Sequence, residues 1–244
     1  MINQENTLIP FHAATLPEGP WLIFAPHADD ETFGMGGTIL KAKDEEIDTH
    51  LVVLTDGSQG GDELDLAEIR INEVRRAAGI LGLKSLDCWS EPDRLLYPSD
   101  KLVKSTSAKL LEIKPATVFF PGPLEIHPDH RAASHLVWAA LRQVRQLNFN
   151  PVPIYYEIGV QNPINLLIDV TEQYINKEKV MQVYESQNKE NNYPELVLAL
   201  NKGRTFSLPP EVKFAEGFFE FQNTDLELSL DEMTYSIIRS YLEK

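Results

Sequence analysis

Three short runs of uninterrupted apolar residues constrain this chain more than any other feature. They are Trp21–Pro26, Leu51-Val52-Val53-Leu54 within Ile47–Thr55, and Val118-Phe119-Phe120 within Ala116–Pro121. A strand with one wet face alternates apolar and polar residues, so a run apolar at every position calls for cover on both faces. Segments of helical period separate the runs. Gly36 to about Glu46 predicts one helix; Leu66, Ile69, Val74, Ala77, Ala78 and Leu81 predict a second, with Gly82 as its stop. A short strand near Leu86–Trp89 precedes a proline-containing loop, and helices are expected over Lys101–Ile113 and from Pro128 to about Leu147. This alternation predicts an α/β fold with a mostly parallel, doubly wound sheet. Pro151–Pro153 marks a boundary. Beyond it come strand-like Ile154–Ile158 and Asn165–Val170, a helix from Thr171 to about Ser186, and a mixed segment to Phe221. An amphipathic helix over about Ser229–Leu242 closes the chain. The expectation is a core over residues 1–150 and a small α/β extension over 151–244, part of the same domain and completing the substrate pocket.

Composition narrows the function. With 37 Asp and Glu against 22 Lys and Arg, the net charge is −15, and such a field repels phosphate backbones and anionic lipid surfaces. No nucleic-acid partner is expected. Cys88 is the single cysteine, which excludes an intramolecular disulfide and a thiolate-rich metal site; it reads as a buried structural residue rather than a nucleophile. Met1–Pro20 has no basic segment followed by an apolar one, so it does not read as a signal peptide. No apolar stretch approaches the roughly 18 residues of a membrane span. The expectation is a soluble cytoplasmic protein.

Ligands of open parallel sheets bind beyond the carboxyl ends of the strands, and the unusual residues cluster there. Pro26-His27-Ala28-Asp29-Asp30-Glu31 follows the first strand, and His127-Pro128-Asp129-His130 follows the strand ending at Pro121. Three of the six histidines lie in these clusters; His12 and His50 have no partners nearby in sequence, and His135, one to two turns past His130, reads as a surface or packing residue. Either cluster alone would pass as ordinary helix capping, with Glu31 and Asp129 as caps. Two of them at strand ends of one sheet point to a metal. His27, Asp30 and His130 would supply two imidazoles and a carboxylate, leaving a position open for water. Asp29 would take the proton of that water. His127 would polarise the carbonyl or protonate the leaving amine, and Asp129 would orient His127. Gly34-Met35-Gly36-Gly37 is not a dinucleotide fingerprint: it starts eight residues past Pro26 (34 − 26), and Ile39 stands where the third glycine belongs. The glycines are expected to let backbone pass close to the metal loop.

These residues resemble the PIG-L/LmbE-like family of metal-dependent de-N-acetylases. The matching elements are the two His/Asp clusters, Gly34-Met35-Gly36-Gly37-Thr38, Thr55-Asp56-Gly57, Arg70 with Glu73, and Leu81-Gly82. Asp169-Val170-Thr171 with Lys179, Ser186-Gln187 and Ala215-Glu216-Gly217-Phe218 echo it later in the chain. The resemblance implies a Rossmann-like three-layer sandwich with its site at the carboxyl edge of the sheet. It implies His27, Asp30 and His130 as metal ligands, Asp29 as general base, and His127 as general acid or oxyanion stabiliser. It also makes Arg70 a candidate substrate contact; Asp93-Arg94, in a loop, is another. The activity implied is metal-dependent removal of an acetyl group from an N-acetylglucosamine-type sugar, free or conjugated. Zn²⁺ is the expected ion, although the same ligands suit Fe²⁺ or another divalent metal. Two other readings stand beside it: an amidase for another N-acyl or thiol conjugate, and a non-catalytic sugar-binding protein that keeps the metal site. A homo-oligomer is compatible with all three.

Overall fold

Apolar runs covered on both faces become the centre of one sheet. The computed structural model describes residues 12–13 and 15–242; residues 1–11, which hold most of the segment read as no signal peptide, lie outside the described residues. The strands are β1 (His12–Ala13), β2 (Trp21–Ala25), β3 (Thr49–Thr55), β4 (Ser85–Glu91), β5 (Thr117–Pro121), β6 (Val152–Tyr156), β7 (Leu166–Asp169) and β8 (Ala215–Glu220). They form one eight-stranded sheet in the order β1-β7-β8-β6-β5-β2-β3-β4. β8 runs antiparallel to β6 and β7, and the other neighbours are parallel.

The helices are α1 (Asp30–Asp44), α2 (Leu66–Leu81), α3 (Asp100–Ile113), α4 (Pro128–Arg145), α5 (Tyr174–Met181), α6 (Glu185–Asn188), α7 (Tyr193–Gly203) and α8 (Leu230–Leu242). Successive residues of β2 serve opposite layers, as the alternation of Cβ directions demands. Trp21 and Ile23 pack with Ile39, Val74, Ala77 and Val180 of α1, α2 and α5. Leu22 and Phe24 pack with Leu110, Leu136, Val137 and Ile237 of α3, α4 and α8. The three-layer sandwich therefore follows from the runs being apolar at every position. No described helix is long and apolar enough to cross a membrane.

Three departures bear on the site. α1 begins at Asp30, six residues before the expected Gly36, and breaks at Met35, which leaves the helical basin at φ −142°, ψ 23°. Its first turn therefore contains a proposed metal ligand. The helix expected over Thr171–Ser186 is confined to α5, with the separate short α6 after it. The mixed segment to Phe221 holds α7 and β8, and β8 inserts between β6 and β7 rather than adding at an edge. Cys88 is half-buried on the edge strand β4, and burial pushes its thiol up, away from nucleophilic use.

Candidate metal centre

From β2 the chain runs outward through β3 to β4, then returns to place β5 on the other side of β2. That reversal opens a crevice at the carboxyl ends of β2 and β5, where ligands of such sheets bind. His27–Asp30 leaves β2 into it, and Glu125–His130 leaves β5. A cleft of about 700 Å³ lies above, lined by both segments, by the loops after β3 and β4, and by residues from Ile158 to Val197.

The β2 segment is tightly folded. Asp30 Oδ2 accepts the backbone N–H of His27 at 2.8 Å. Asp29 holds φ 134°, a conformation that L-residues rarely adopt and that persists only where the surroundings over-determine it. Glu31, fully buried, helps to fix this turn. It accepts the Asp29 N–H at 3.3 Å and hydroxyls from Tyr184 (2.5 Å) and Thr32 (2.6 Å). On the β5 side His127 caps α4, its Nδ1 accepting the Asp129 N–H at 3.2 Å. With Nδ1 occupied as an acceptor, the neutral ring carries its proton on Nε2.

The residue pairs meet as a ligand set would. Asp30 Oδ2 lies 3.1 Å from His27 Nδ1 and 3.3 Å from His130 Nε2. Ligands at about 2.0–2.1 Å around a tetrahedral Zn²⁺ are separated by roughly 3.3 Å, and these two separations match that spacing. The other nitrogen of His27, Nε2, faces Asp93 Oδ1 at 3.1 Å and Asp129 Oδ2 at 3.2 Å. Carboxylates on the far nitrogen are what orient a metal-bound imidazole. Among the described residues, the groupings whose ligand atoms all lie within 4.8 Å of one another are His27 with His127 and His130, and His27 with Asp93, His127 and Asp129. Each of these carboxylates also accepts a backbone N–H: Asp30 from His27, Asp93 from Gln59, and Asp129 from Arg94 and Leu96.

Charge in the cleft points the same way. Asp29, Asp30, Asp93, Glu125 and Asp129 are all buried. Of the two arginines that line the cleft, Arg70 is buried and Arg94 exposed. Buried carboxylates at this density need compensating cations, and a divalent ion fits. Burial depresses His27, but Asp129, Asp30 and Asp93 lift it well above the usual imidazole value. Burial raises Asp30, but His130 and His27 hold it well below the usual carboxylate range. Burial likewise depresses His130, and Asp30 lifts it to about 9. Burial raises Asp29 to about 7 against the pull of Arg70. Burial, then the charges of His27 and His130, push His127 below the usual imidazole value.

The probable N-acetyl-alpha-D-glucosaminyl L-malate deacetylase 2 of Bacillus anthracis is 30% identical over 185 residues, 68% of this chain and 80% of that protein. The PIG-L family, described as GlcNAc-PI de-N-acetylase, matches residues 22–141. The chain belongs to the PIG-L family. Its family segment runs from β2 into α4 and so contains both clusters. A diacetylchitobiose deacetylase of Thermococcus kodakarensis is 37% identical over 139 residues, 53% of this chain; the match spans about half of that relative's length, 51%. The structure of N,N'-diacetylchitobiose deacetylase from Pyrococcus horikoshii superposes with a TM-score of 0.74 at 26% identity, covering 86% of each chain.

Within this PIG-L chain several side chains stand elsewhere than the sequence suggested. Asp129 does not orient His127; its carboxylate serves His27 and the amides of Arg94 and Leu96, and only its backbone N–H reaches His127. Arg70, matched together with Glu73 in the resemblance, does not pair with it. Arg70 is buried, paired with Asp29 Oδ2 at 3.1 Å and donating to the carbonyl of Ala28 at 2.9 Å, while Glu73 accepts the N–H and hydroxyl of Ser186. Gly57, at φ +62°, leaves room for Arg70, whose Nε would lie 2.8 Å from a Cβ there. Asp93 sits behind His27, and Arg94 is at the mouth. His50 bonds Ser85, and His135 lies 3.5 Å from Asp231, both away from the site; the His12 side chain lies outside the described residues.

Glu125 was missed. Its carboxylate accepts the N–H groups of Ile158 (2.9 Å) and Gly159 (3.0 Å) and lies 3.6 Å from His130 Nδ1, a buried nitrogen otherwise without a partner. A lone acid in the loop two residues before His127 was the available signal. In the cleft wall, Gln187, Glu190 and Tyr193 were also missed, since no spacing rule ties them to the clusters.

Proposed function

We propose that this chain is a zinc-dependent hydrolase that removes the acetyl group from an N-acetylglucosamine-type amino sugar, with His27, Asp30 and His130 as metal ligands. The observation that supports this best is the sharing of Asp30 Oδ2 by ring nitrogens of His27 and His130 at 3.1 and 3.3 Å, on the floor of a cleft. When bound, the ion supplies Lewis acidity, polarising an acyl carbonyl and acidifying water. Asp29, with a carboxyl near 7, takes a proton from the water that adds to the amide carbon, as a base poised near neutrality does best. Arg70 holds Asp29 in place. His127, held by its cap bond with N–H on Nε2, donates to the oxygen on which charge develops. The carbon–nitrogen bond then breaks, the nitrogen takes the proton held by Asp29, and acetate and a free amino sugar leave. Asp93 and Asp129 keep the His27 ring in its ligating orientation.

Residues 151–244 complete the substrate pocket in this reading. Tyr193, stacked on Phe33 with centroids 5.6 Å apart, offers a ring to a sugar face. The partner is a small amino sugar or glycoconjugate, as the names of the relatives suggest, and the location is cytoplasmic, in keeping with a single cysteine. The test is release of acetate from N,N'-diacetylchitobiose, N-acetylglucosamine and its malate conjugate by the Zn²⁺-loaded protein. Release that chelation abolishes and zinc restores is expected. Metal-loaded protein that releases acetate from none of the three refutes the proposal.

A further inference from the structure

The helix that carries Asp30 is broken at Met35, and its break is filled by an ion pair. In an unbroken helix the Gly37 N–H would donate to the Phe33 carbonyl, four residues back. Here the Phe33 carbonyl accepts from Lys177 Nζ at 2.8 Å, and the Gly37 N–H donates to Glu216 Oε1 at 2.9 Å. Lys177 Nζ and Glu216 Oε1 are themselves 2.7 Å apart, both side chains wholly buried. Glu216 Oε2 accepts the Thr38 N–H at 2.7 Å, and Asn201 Oδ1 accepts a further hydrogen bond from Lys177 Nζ at 2.8 Å. The signs suit the ends they meet: the cation sits at the carboxyl end of the first helical segment and the carboxylate at the amino end of the second.

The sequence is cut to this arrangement. A Cβ on Gly37 would stand 2.8 Å from Val170 Cβ and 3.0 Å from Glu216 Oε1, and one on Gly34 would stand 2.4 Å from Tyr156 Cδ2 and 2.5 Å from the Glu157 carbonyl. The glycines thus admit β6, β7 and the ion pair against the break. The lysine involved is Lys177, not the exposed Lys179 of the sequence motif.

We propose that Lys177 and Glu216 are positioning residues for the metal centre. By holding the break open they set the direction of the Asp30–Phe33 turn, and with it the placement of Asp30 against His27 and His130. The two residues come from α5 and β8, more than 130 positions beyond Asp30 in sequence. The inference rests on the metal reading above. A buried pair could be purely structural, since apolar replacements often serve stability as well; positioning demands an effect on the ion itself.

The test is Lys177→Met/Glu216→Gln, which removes both charges together and keeps an oxygen for the two amides, with Glu216→Gln alone as a second variant that leaves the Lys177 charge without its partner. Leu110→Ala, in the opposite layer and fully buried, controls for general destabilisation. Folding is checked by circular dichroism and thermal melting. The readouts are divalent-ion affinity by chelator competition and the visible spectrum of the Co²⁺-loaded protein. Expected is an affinity at least about tenfold weaker, the scale of lost outer-shell support, with a shifted Co²⁺ spectrum in the folded variants and parent values in Leu110→Ala. A folded variant with parent affinity and spectrum overturns the proposal, as does an equal loss in Leu110→Ala or failure of both variants to fold. Asp30→Ala run alongside separates the two failures. If the parent and Asp30→Ala bind the ion alike, the metal reading falls. A parent-like double variant beside a defective Asp30→Ala removes only the role of the pair.

Discussion

Asp129→Ala separates two accounts of one carboxylate. The spacing in His127-Pro128-Asp129-His130 suggests that Asp129 serves His127, so its loss would lower turnover and spare the metal. In the structure the side chain, 1% exposed, stands 3.2 Å from His27 Nε2 and accepts amides from Arg94 at 2.6 Å and Leu96 at 3.2 Å. Truncation to alanine leaves the buried Leu96 N–H without its acceptor, at about 1–3 kcal/mol, and the part-buried Arg94 N–H at less, for roughly 2–4 kcal/mol together. For a chain of this length about 2–4 °C of melting temperature goes with each kcal/mol, so a fall of about 10 °C is the central expectation. His27 also loses one of its two Nε2 carboxylates while Asp93 remains. Losses of this kind weaken metal binding 10–100-fold, and the lower figure, about 1.4 kcal/mol, is expected here. Asp129→Asn keeps one oxygen and should lose about half as much stability. The cap bond to His127 Nδ1 comes from a backbone N–H and survives both changes. The assay is chelator competition for Zn²⁺ beside differential scanning fluorimetry. Parent metal affinity in Asp129→Ala, with turnover alone reduced, would refute the assignment of Asp129 to His27.

Two further substitutions divide the remaining roles. Asp29→Asn should keep the ion, because Asp29 faces Arg70 rather than the shared Asp30 oxygen, and should lower kcat by about 10²–10⁴-fold; near-parent turnover with metal bound removes Asp29 from the mechanism. His127→Ala should leave metal content largely unchanged while lowering kcat, and should lower stability by about 0.5–2 kcal/mol through loss of the α4 cap. Loss of the ion from that variant, measured by elemental analysis after desalting, would make His127 a ligand.

Sequence and tertiary structure each decided a definable part. The central strands were legible because burial on both faces leaves a local mark, a run apolar at every position. The pairing of the two His/Asp clusters was legible for the same reason: each follows such a run, and a doubly wound sheet brings the ends of its parallel strands to one edge. Which atoms meet was not legible. Whether Asp129 turns to His127 or to His27 depends on where the loop after β4 brings the amides of Arg94 and Leu96. Arg70 could not be assigned to Asp29 from its own helix, since the partner lies 41 positions away (70 − 29) and the space for it is left by Gly57 and Gly60. The glycine segment reads locally as helix only from Gly36, because glycine disfavours helix. It is helical on both sides of Met35 because Lys177 and Glu216 satisfy the backbone groups that the break exposes. β8 left only a weak pattern, and its antiparallel place between β6 and β7 is a matter of sheet order. Periodicity and strand ends are properties of neighbouring residues, so the sequence carries them. The partners of buried charges are chosen across 40 to 180 positions by electrostatic need and available space, and only the folded chain brings them within reach.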